Sequence, residues 1–509
     1  MIYLVEVTAA TDSAGTTTVL RFSSEAYVTG PAESPANTYY DPRVKTPADI
    51  TRNLFASGTT SGASRVGYGV VELSNVDGGL DYMNTYGFDG RALTIKIGDV
   101  GLAYSAFTTI LSGTMEQVEF SFQTVTILAR DKLAVLDLPL QKTEYAGTNT
   151  LPNGVEGTAD LKGQKKPLLY GQVYNISPPC VNTSKLIYQV SDLLINDVSA
   201  TYDRGVGLTK GSNYTDLSDM SNNAPASGNY RILKTSTGSY FRLGSSPTGQ
   251  ITCDAVQGAT SADRTAAQLV KAIAIKGGVS SGDVNASDVT ALDTANSSVV
   301  GVWIFGDESA LSVIDQVAQS VGAWYGYDAT GGFRMARFEA PSGAADIEIN
   351  DDNIVSIETI RPNDTDRGLP AYKVILNYAK NYTTQDSDIA SSVTADRRSF
   401  LRYQFQSSYT EDATVKNQFL LASEITRDTL LVSSANASTE ASRLLTLYKT
   451  NRYMYQVRIA LDVTEHLPDL NDTANVTLDR FGLDSGKLFR IIGISSNYAI
   501  NRATLTLWG

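Results

Sequence analysis

The sequence predicts a mainly β protein with an α+β middle, and three observations carry that prediction. Apolar and polar residues alternate through the first 140 or so residues and again through the last 140 or so. Charged residues make up only 19%, below the usual share of about 25%, and Ser, Thr, Asn and Gly fill the difference. Tyrosine occurs 27 times. Aromatic residues and a period of two favour pleated strands over helical bundles. With 509 residues and roughly 150 per domain, about three domains are expected.

Met1 to Val7 and Val19 to Phe22 read as the opening strands. The Pro-, Ser- and Gly-rich stretch from Gly30 to Gly67 interrupts them as an extended loop or an interaction arm. Asp77-Gly78-Gly79 and Asp89-Gly90 are turn signals. Leu93, Ile95 and Ile97 share one face of a strand, and Val125, Ile127 and Ala129 share another. Near Gly163 the texture changes. The pair Pro178-Pro179 argues against a central strand there and marks a domain boundary, because proline lacks the N–H that a ladder needs.

Strands continue from Leu186 to Gly258, with a polar loop from Thr215 to Gly228. Asp263 to Lys276 reads as a helix with Ala266, Leu269, Val270 and Ile273 on one face, ended by Gly277-Gly278. Ser309 to Val321 reads as a second helix, striped by Leu311, Ile314, Val317, Ala318 and Val321, with Asp307 as its cap. Trp324, Tyr325 and Tyr327, the turn Thr330-Gly331-Gly332 and a strand from Phe333 to Phe338 complete a helix on a small sheet. Strand faces then follow at Tyr372/Val374/Leu376/Tyr378, Val457/Ile459/Leu461, Val476/Leu478 and Leu505/Leu507. A helix near Thr439 to Lys449, with Ala441, Leu444, Leu445 and Tyr448 on one side, lies among them. The aromatic Trp508 suggests a final strand tied into a sheet or interface. No repeat of 20–50 residues is visible, which argues against a propeller or solenoid.

The net charge of −13 argues against wrapping nucleic acid, although it suits an acidic wall that DNA slides past. Cys180 and Cys253 form neither a disulfide framework nor a metal-ligand spacing, so a protein made in a reducing cytoplasm is expected, with the two thiols unbridged. The N-terminus has no basic region ahead of an apolar run and reads as a strand rather than a signal peptide. No apolar run approaches the ~20 residues of a membrane span.

The chemistry of the sequence is sparse. His466 is the single histidine. A Ser-His-Asp triad would have to use it, yet no Gly-x-Ser-x-Gly elbow is present, and a turn residue is the plainer reading. The same shortage disfavours a zinc site. Asp77 to Asp81 and Asn350-Asp351-Asp352-Asn353 are acid-rich turns without the full calcium-loop spacing. They read as Asp and Asn capping the backbone. Carboxylate pairs for glycoside hydrolysis depend on spatial separation, which sequence does not give. The tyrosines suit strand surfaces and contacts better than a sugar groove. Phosphate-binding glycine loops are absent. No catalytic residue, metal ligand or cofactor is therefore expected.

Five segments, in chain order, bear on kinship. They are Gly69 to Asp81 with Tyr86 to Arg91; Lys166-Pro167 through Gly171 to Asn175-Ile176-Ser177-Pro178; Phe241 to Gly244 with Pro247 to Asp254; Val321 to Tyr325 with Gly332-Phe333-Arg334 and Pro341; and Gly486 to Ile494 with Leu505 to Gly509. Together they resemble the hub or tail-tip proteins of long-tailed bacteriophages and of phage-like gene transfer particles. The resemblance implies a structural, non-enzymatic subunit. Two tube-like β-barrel or sandwich domains, 1–140 and 346–509, would bracket a mixed spacer at 165–345. Such hubs are similar to homotrimers in which six β-domains match a six-fold tail tube and offer three-fold symmetry to a spike or fibre. The implied partners are further copies of the chain, a distal tail or tail-tube protein, the tape-measure protein and the spike or fibre, with DNA passing through the lumen during ejection. The implied location is the distal end of a virion tail, assembled in the bacterial host cytoplasm. Two other readings compete: a receptor- or glycan-binding tail protein using the loops at 30–67 and 205–260, and a polysaccharide or peptidoglycan hydrolase.

Overall fold

The alternating residues of the first region all point one way. Leu93, Ile95 and Ile97 are buried, as are Val125 and Ile127, in strands Ala92–Gly98 and Thr124–Arg130. The computed structural model describes residues 1–47, 49–56, 59–360, 370–461 and 467–509. Its fold is mainly β, with 41% strand and 17% helix. The first region forms a seven-stranded sheet in the order Thr17–Ser23, Ile2–Ala10, Ala92–Gly98, Thr108–Phe120, Thr124–Arg130, Val70–Ser74 and Val44–Thr46. Neighbouring strands in it run antiparallel.

The middle region begins with two five-stranded sheets packed face to face. One is built from Val206–Gly207, Asp197–Asp203, Ile251–Val256, Leu168–Ile176 and Gly301–Ile304, and the other from Cys180–Asn182, Ile187–Ser191, Gly238–Leu243, Asn229–Thr235 and Thr209–Lys210. Their inner faces supply Val173, Val190, Val198, Tyr230 and Phe241 to a shared core. The Tyr188 and Phe241 rings stack there at 5.0 Å. Leu168–Ile176 is a central strand, contrary to the expectation drawn from Pro178-Pro179. The two prolines lie beyond its last residue and end it instead of breaking it. Gly171 sits where this strand exchanges one partner for the other, at φ +73, and a Cβ there would lie 2.0 Å from the Val300 carbonyl oxygen.

Helix Ala266–Gly277 buries the apolar stripe read from the sequence, and helix Ala310–Gln319 buries Ile314, Val317 and Ala318 of its own, while Leu311 is only partly buried and Val321 is buried just past the helix end. The first is capped by Thr265 and ends at Gly278. Residues Ser261–Arg264 before it are a separate 3-10 turn. The second is capped by Ser309, whose hydroxyl accepts from the Ser312 N–H, and not by Asp307, which lies two residues too early. A helix at Ala286–Ala295, a short one at Leu217–Asn222 inside the polar loop, and one at Ala395–Arg402 were not anticipated. Strands Ala323–Tyr327 and Phe333–Arg337 form the expected small sheet.

Toward the C-terminus, Ala371–Tyr378 pairs with Gln406–Glu411 and Ser423–Asp428 in a three-stranded sheet of its own. Against it packs the helix Ser434–Tyr448, which starts five residues earlier than expected because Ser433 caps it. The remaining strands build an eight-stranded sheet around Thr473–Leu478, Leu483–Asn497, Arg502–Trp508 and Met454–Ala460. Trp508 is 2% exposed and lies 4.9 Å from the Phe338 ring. Burial of such a side chain contributes about 2–3 kcal/mol.

The stretch from Gly30 to Gly67 is a strap within the chain. Val44–Thr46 joins the seven-stranded sheet, Ile50–Asn53 pairs with Leu483–Asn497 of the eight-stranded sheet, and Gly62–Ala63 adds a parallel strand beside Trp324 and Tyr325. One continuous apolar core accordingly runs from Val5 and Leu93 through Ile273 and Ile314 to Val457 and Leu505.

Candidate functional site

The acid-rich turn at Asp77 to Asp81 is a structural turn. Asn75 is buried, donates from Nδ2 to Asp81 Oδ1 at 2.8 Å and accepts the Leu80 N–H at 2.8 Å. The Asp77 carboxylate accepts both Arg43 Nη atoms, at 2.7 and 2.9 Å, and the Gly79 N–H at 3.0 Å. The Arg43 guanidinium holds the Asp77 carboxyl well below the usual range. A cation would have to displace that guanidinium. In the second acid-rich turn, Asn353 Oδ1 accepts the Asn350 N–H and Asn350 Oδ1 accepts the Asp352 N–H, each at 3.0 Å. Among the described residues no three His, Cys, Asp or Glu side chains gather as a metal site. Cys180 and Cys253 are free thiols, and burial pushes both thiol pKa values up. His466 lies outside the described residues.

Two of the five segments singled out from the sequence, those holding Asn175 and Asp254, meet in space at Asn175. This residue, at φ +53, donates its main-chain N–H to Asp254 Oδ1 at 2.8 Å and its Nδ2 to Asn381 Oδ1 and the Thr383 carbonyl. Its Oδ1 accepts Arg397 Nη2 at 2.8 Å, while the Arg397 guanidinium lies 3.9 Å from the Tyr202 ring centre. Burial raises the Asp254 carboxyl. The network pins residues 381–403 onto the middle sandwich.

A second polar centre lies where the strap crosses the other regions. Arg52 pairs with Asp469 and donates to the Tyr327 carbonyl at 3.2 Å. Arg334 pairs with Asp288 and Asp328. Ala63 donates its N–H to Asp315 Oδ1 at 2.9 Å, and Tyr325 donates its hydroxyl to the same oxygen at 2.8 Å. Tyr3 donates to the Tyr498 carbonyl, tying the first strand to the last sheet. Burial pushes the nearby Asp131 carboxyl up to about 6 against the pull of the Leu133 N–H and of Arg52 and Arg65. Arg52, Trp324 and Asp469 are far apart in the sequence, and only the capping residues and turns gave a local signal.

Several of the exposed apolar residues stand at tips. Between strands Thr108–Phe120 and Thr124–Arg130, Ser121 Oγ accepts the Thr124 N–H at 3.0 Å and Phe122 projects, 93% exposed. Phe481, 48% exposed, lies at the tip between Thr473–Leu478 and Leu483–Asn497 with its ring 5.9 Å from that of Tyr455. Leu420 and Leu421 stand out ahead of strand Ser423–Asp428.

No family model matches the sequence, and no curated protein matches it. Among solved structures the chain is similar to the 43 kDa tail protein of prophage MuSo2 from Shewanella oneidensis, at 11% identity and a TM-score of 0.39 over 99% of this chain and 98% of that one. It is also similar to the tail protein from Neisseria meningitidis MC58, at 9% identity and a TM-score of 0.42 over 100% and 96% of the two chains. A chain in the virion of a native gene transfer agent particle matches at 12% identity and a TM-score of 0.42, over 68% of this chain and 84% of that one. These solved neighbours are tail and virion proteins.

Proposed function

We propose that the chain is a structural, non-enzymatic subunit of a phage tail tip or baseplate hub, residing at the distal end of a virion tail. The observation that carries this reading is the pairing of Ile50–Asn53, from the amino-terminal region, with Leu483–Asn497 of the last sheet. It holds two β bodies side by side in one chain. Each body extends a hairpin whose tip displays a phenylalanine, Phe122 in one and Phe481 in the other. A chain with two such bodies suits a three-fold ring that presents six of them to a six-fold tube. Regions 1–140 and 346–509 then serve as tube-like domains and 165–345 as the spacer. The five sequence segments that resemble hub proteins, spread in order along the chain, support the same reading. In this role the chain meets copies of itself, a tail-tube or distal tail protein, the tape-measure protein and a spike or fibre. The net charge of −13 favours a conduit that repels the phosphates of passing DNA.

Electron microscopy of intact particles and of the purified chain, with mass measurement on the latter, tests the proposal. A three-fold ring at the tail end built from this chain is expected. A chain found only in peripheral fibres, or a lumen lined mainly by Lys and Arg, overturns it.

A further inference from the structure

Asn153-Gly154 is the only Asn-Gly pair in the sequence, and the fold presents it at an exposed tip. The loop from Tyr145 to Gln164 covers the outer face of the second five-stranded sheet, where Tyr145 joins Ile187, Leu233 and Tyr240 in a small core. At the tip the Asn153 N–H donates to the Thr150 carbonyl at 2.9 Å. Two other asparagines hold the flanks. Asn149 Nδ2 donates to the Val181 carbonyl at 2.7 Å, and Asn182 Nδ2 donates to the Pro152 and Gly154 carbonyls at 3.1 and 2.8 Å. Gly154 has φ +98, and a Cβ there would lie 2.2 Å from Asn149 Oδ1. No other residue follows Asn153 without moving the loop.

The fold thus requires the neighbour that leaves an asparagine most reactive. The main-chain nitrogen after an asparagine can attack its side-chain Cγ, and a side chain on the following residue obstructs that approach. Glycine offers no such obstruction. Three further features promote the attack here. Asn153 and Gly154 are both exposed. Neither the Gly154 N–H nor Asn153 Nδ2 donates a hydrogen bond among the described residues. Lys185 Nζ donates to Asn153 Oδ1 at 3.4 Å and draws electrons from the carbon under attack. The other partner of that ammonium, the Ser221 hydroxyl, is neutral, so Lys185 has no carboxylate to pair with among the described residues.

We infer that Asn153 is a site of spontaneous deamidation in the folded chain, assisted by Lys185. Gly154 N forms a bond to Asn153 Cγ, and the Cγ–Nδ2 bond breaks. Ammonia leaves with the proton that Gly154 N gave up, and a succinimide closes. Water then opens the ring at either carbonyl. One opening restores the main chain with an aspartate at 153. The other leaves an isoaspartate, whose main chain is longer by one methylene. One water enters, one ammonia leaves, and nothing is oxidised or reduced. The aspartate product gives Lys185 the counter-charge it lacks. The isoaspartate product moves the Pro152 and Gly154 carbonyls apart, so that Asn182 no longer holds both. The site belongs to the single chain and does not depend on any ring.

The full chain is kept folded in mildly alkaline buffer, sampled over days, digested and mapped by mass spectrometry. The expected result is a steady gain, in the peptide holding Asn153, of the mass added when OH replaces NH2, ahead of every other asparagine. Asn153→Gln keeps the amide but needs a larger ring to close, and the early shift of this peptide is expected to vanish. Lys185→Met keeps a straight stem and removes the charge. It is expected to slow the reaction severalfold in the folded chain and to leave the rate unchanged in chain unfolded by urea. Asn153 is exposed and Lys185 is half-buried, so both variants are expected to fold. The inference is overturned by an Asn153 that stays intact in the folded chain while the unfolded chain reacts, by another asparagine that converts first, or by an unchanged folded-state rate in Lys185→Met.

Discussion

The main-chain N–H of Asn175 donates to the carboxylate of Asp254 at 2.8 Å, and the side chain of Asn175 passes the contact on to Arg397. Two of the segments that bear on kinship, one before a proline pair and one holding a buried cysteine, thus share a single hydrogen-bond network. That network fastens residues 381–403 to the sandwich.

Asn175→Ala is expected to destabilise the chain by about 3 kcal/mol. It removes the acceptor of a charged donor and the partner of Asn381, and it places alanine at φ +53, a left-handed conformation that costs about 1 kcal/mol by itself. Urea denaturation followed by far-UV circular dichroism measures the loss. A change below about 0.5 kcal/mol contradicts this account of the network.

Asp131 makes stability depend on pH in a defined direction. Its folded pKa of about 6 lies above the value of about 3.9 in an unfolded chain. Its contribution is therefore fully present below about pH 4 and is lost as the pH rises through about 6. Asp131→Asn keeps an oxygen to cap the Leu133 N–H and removes the buried charge. The variant should be more stable than the parent at pH 8 by on the order of 1–3 kcal/mol, with the advantage disappearing near pH 4. Denaturation midpoints across that pH range supply the check.

Phe122→Ser separates assembly from folding. The side chain touches little in the single chain, so the melting temperature should stay close to that of the parent, as for other surface changes of within about 0.5 kcal/mol. Under the hub reading the same substitution should reduce ring formation in analytical ultracentrifugation. Rings that form undiminished would remove this hairpin tip from the interface.

The turn at Asp77 should ignore calcium. With Arg43 occupying the carboxylate, melting curves in millimolar calcium chloride and in EDTA are expected to coincide. A calcium-dependent rise that Asp77→Asn abolishes would reverse the assignment.

Both cysteines should resist alkylation in the folded chain. Cys253 is fully buried and Cys180 half-buried, and desolvation raises both thiols. Mass spectrometry after treatment at pH 8 should show no adduct before unfolding and one on each thiol after it.

Local patterns were legible in the sequence where local physics decides the outcome. Leu93, Ile95 and Ile97 alternate because one face of their strand is buried, and Gly278 stops a helix because it takes a left-handed conformation at φ +120. Helix Ala286–Ala295 escaped notice because only Val289 and Leu292 face inward, although Asn285 followed by Asp288 is a usable starting signal. Pro178-Pro179 misled because a proline at the end of a strand and one inside it read alike until the partner strands are known. The strap was legible as extended chain, but its partners were not, since Arg52 and Ile494 carry no mark of their pairing. The polar centre around Arg52 was hidden for the same reason, its members being drawn from distant parts of the chain.

The strap also sets a timetable for biosynthesis. Thr51 and Ser495 touch across 444 positions, and at about 5–20 residues per second a ribosome takes roughly 20–90 s to cover that distance. Through that interval the strand Ile50–Asn53 has left the ribosome while its partner has yet to be made, and it presents an open edge to every other nascent chain nearby. Translation speed and chaperone supply then bear on the yield of folded protein, as final stability also does. Slowing the ribosome late in the message lengthens the exposure, whereas supplying the two halves as separate chains changes its order altogether.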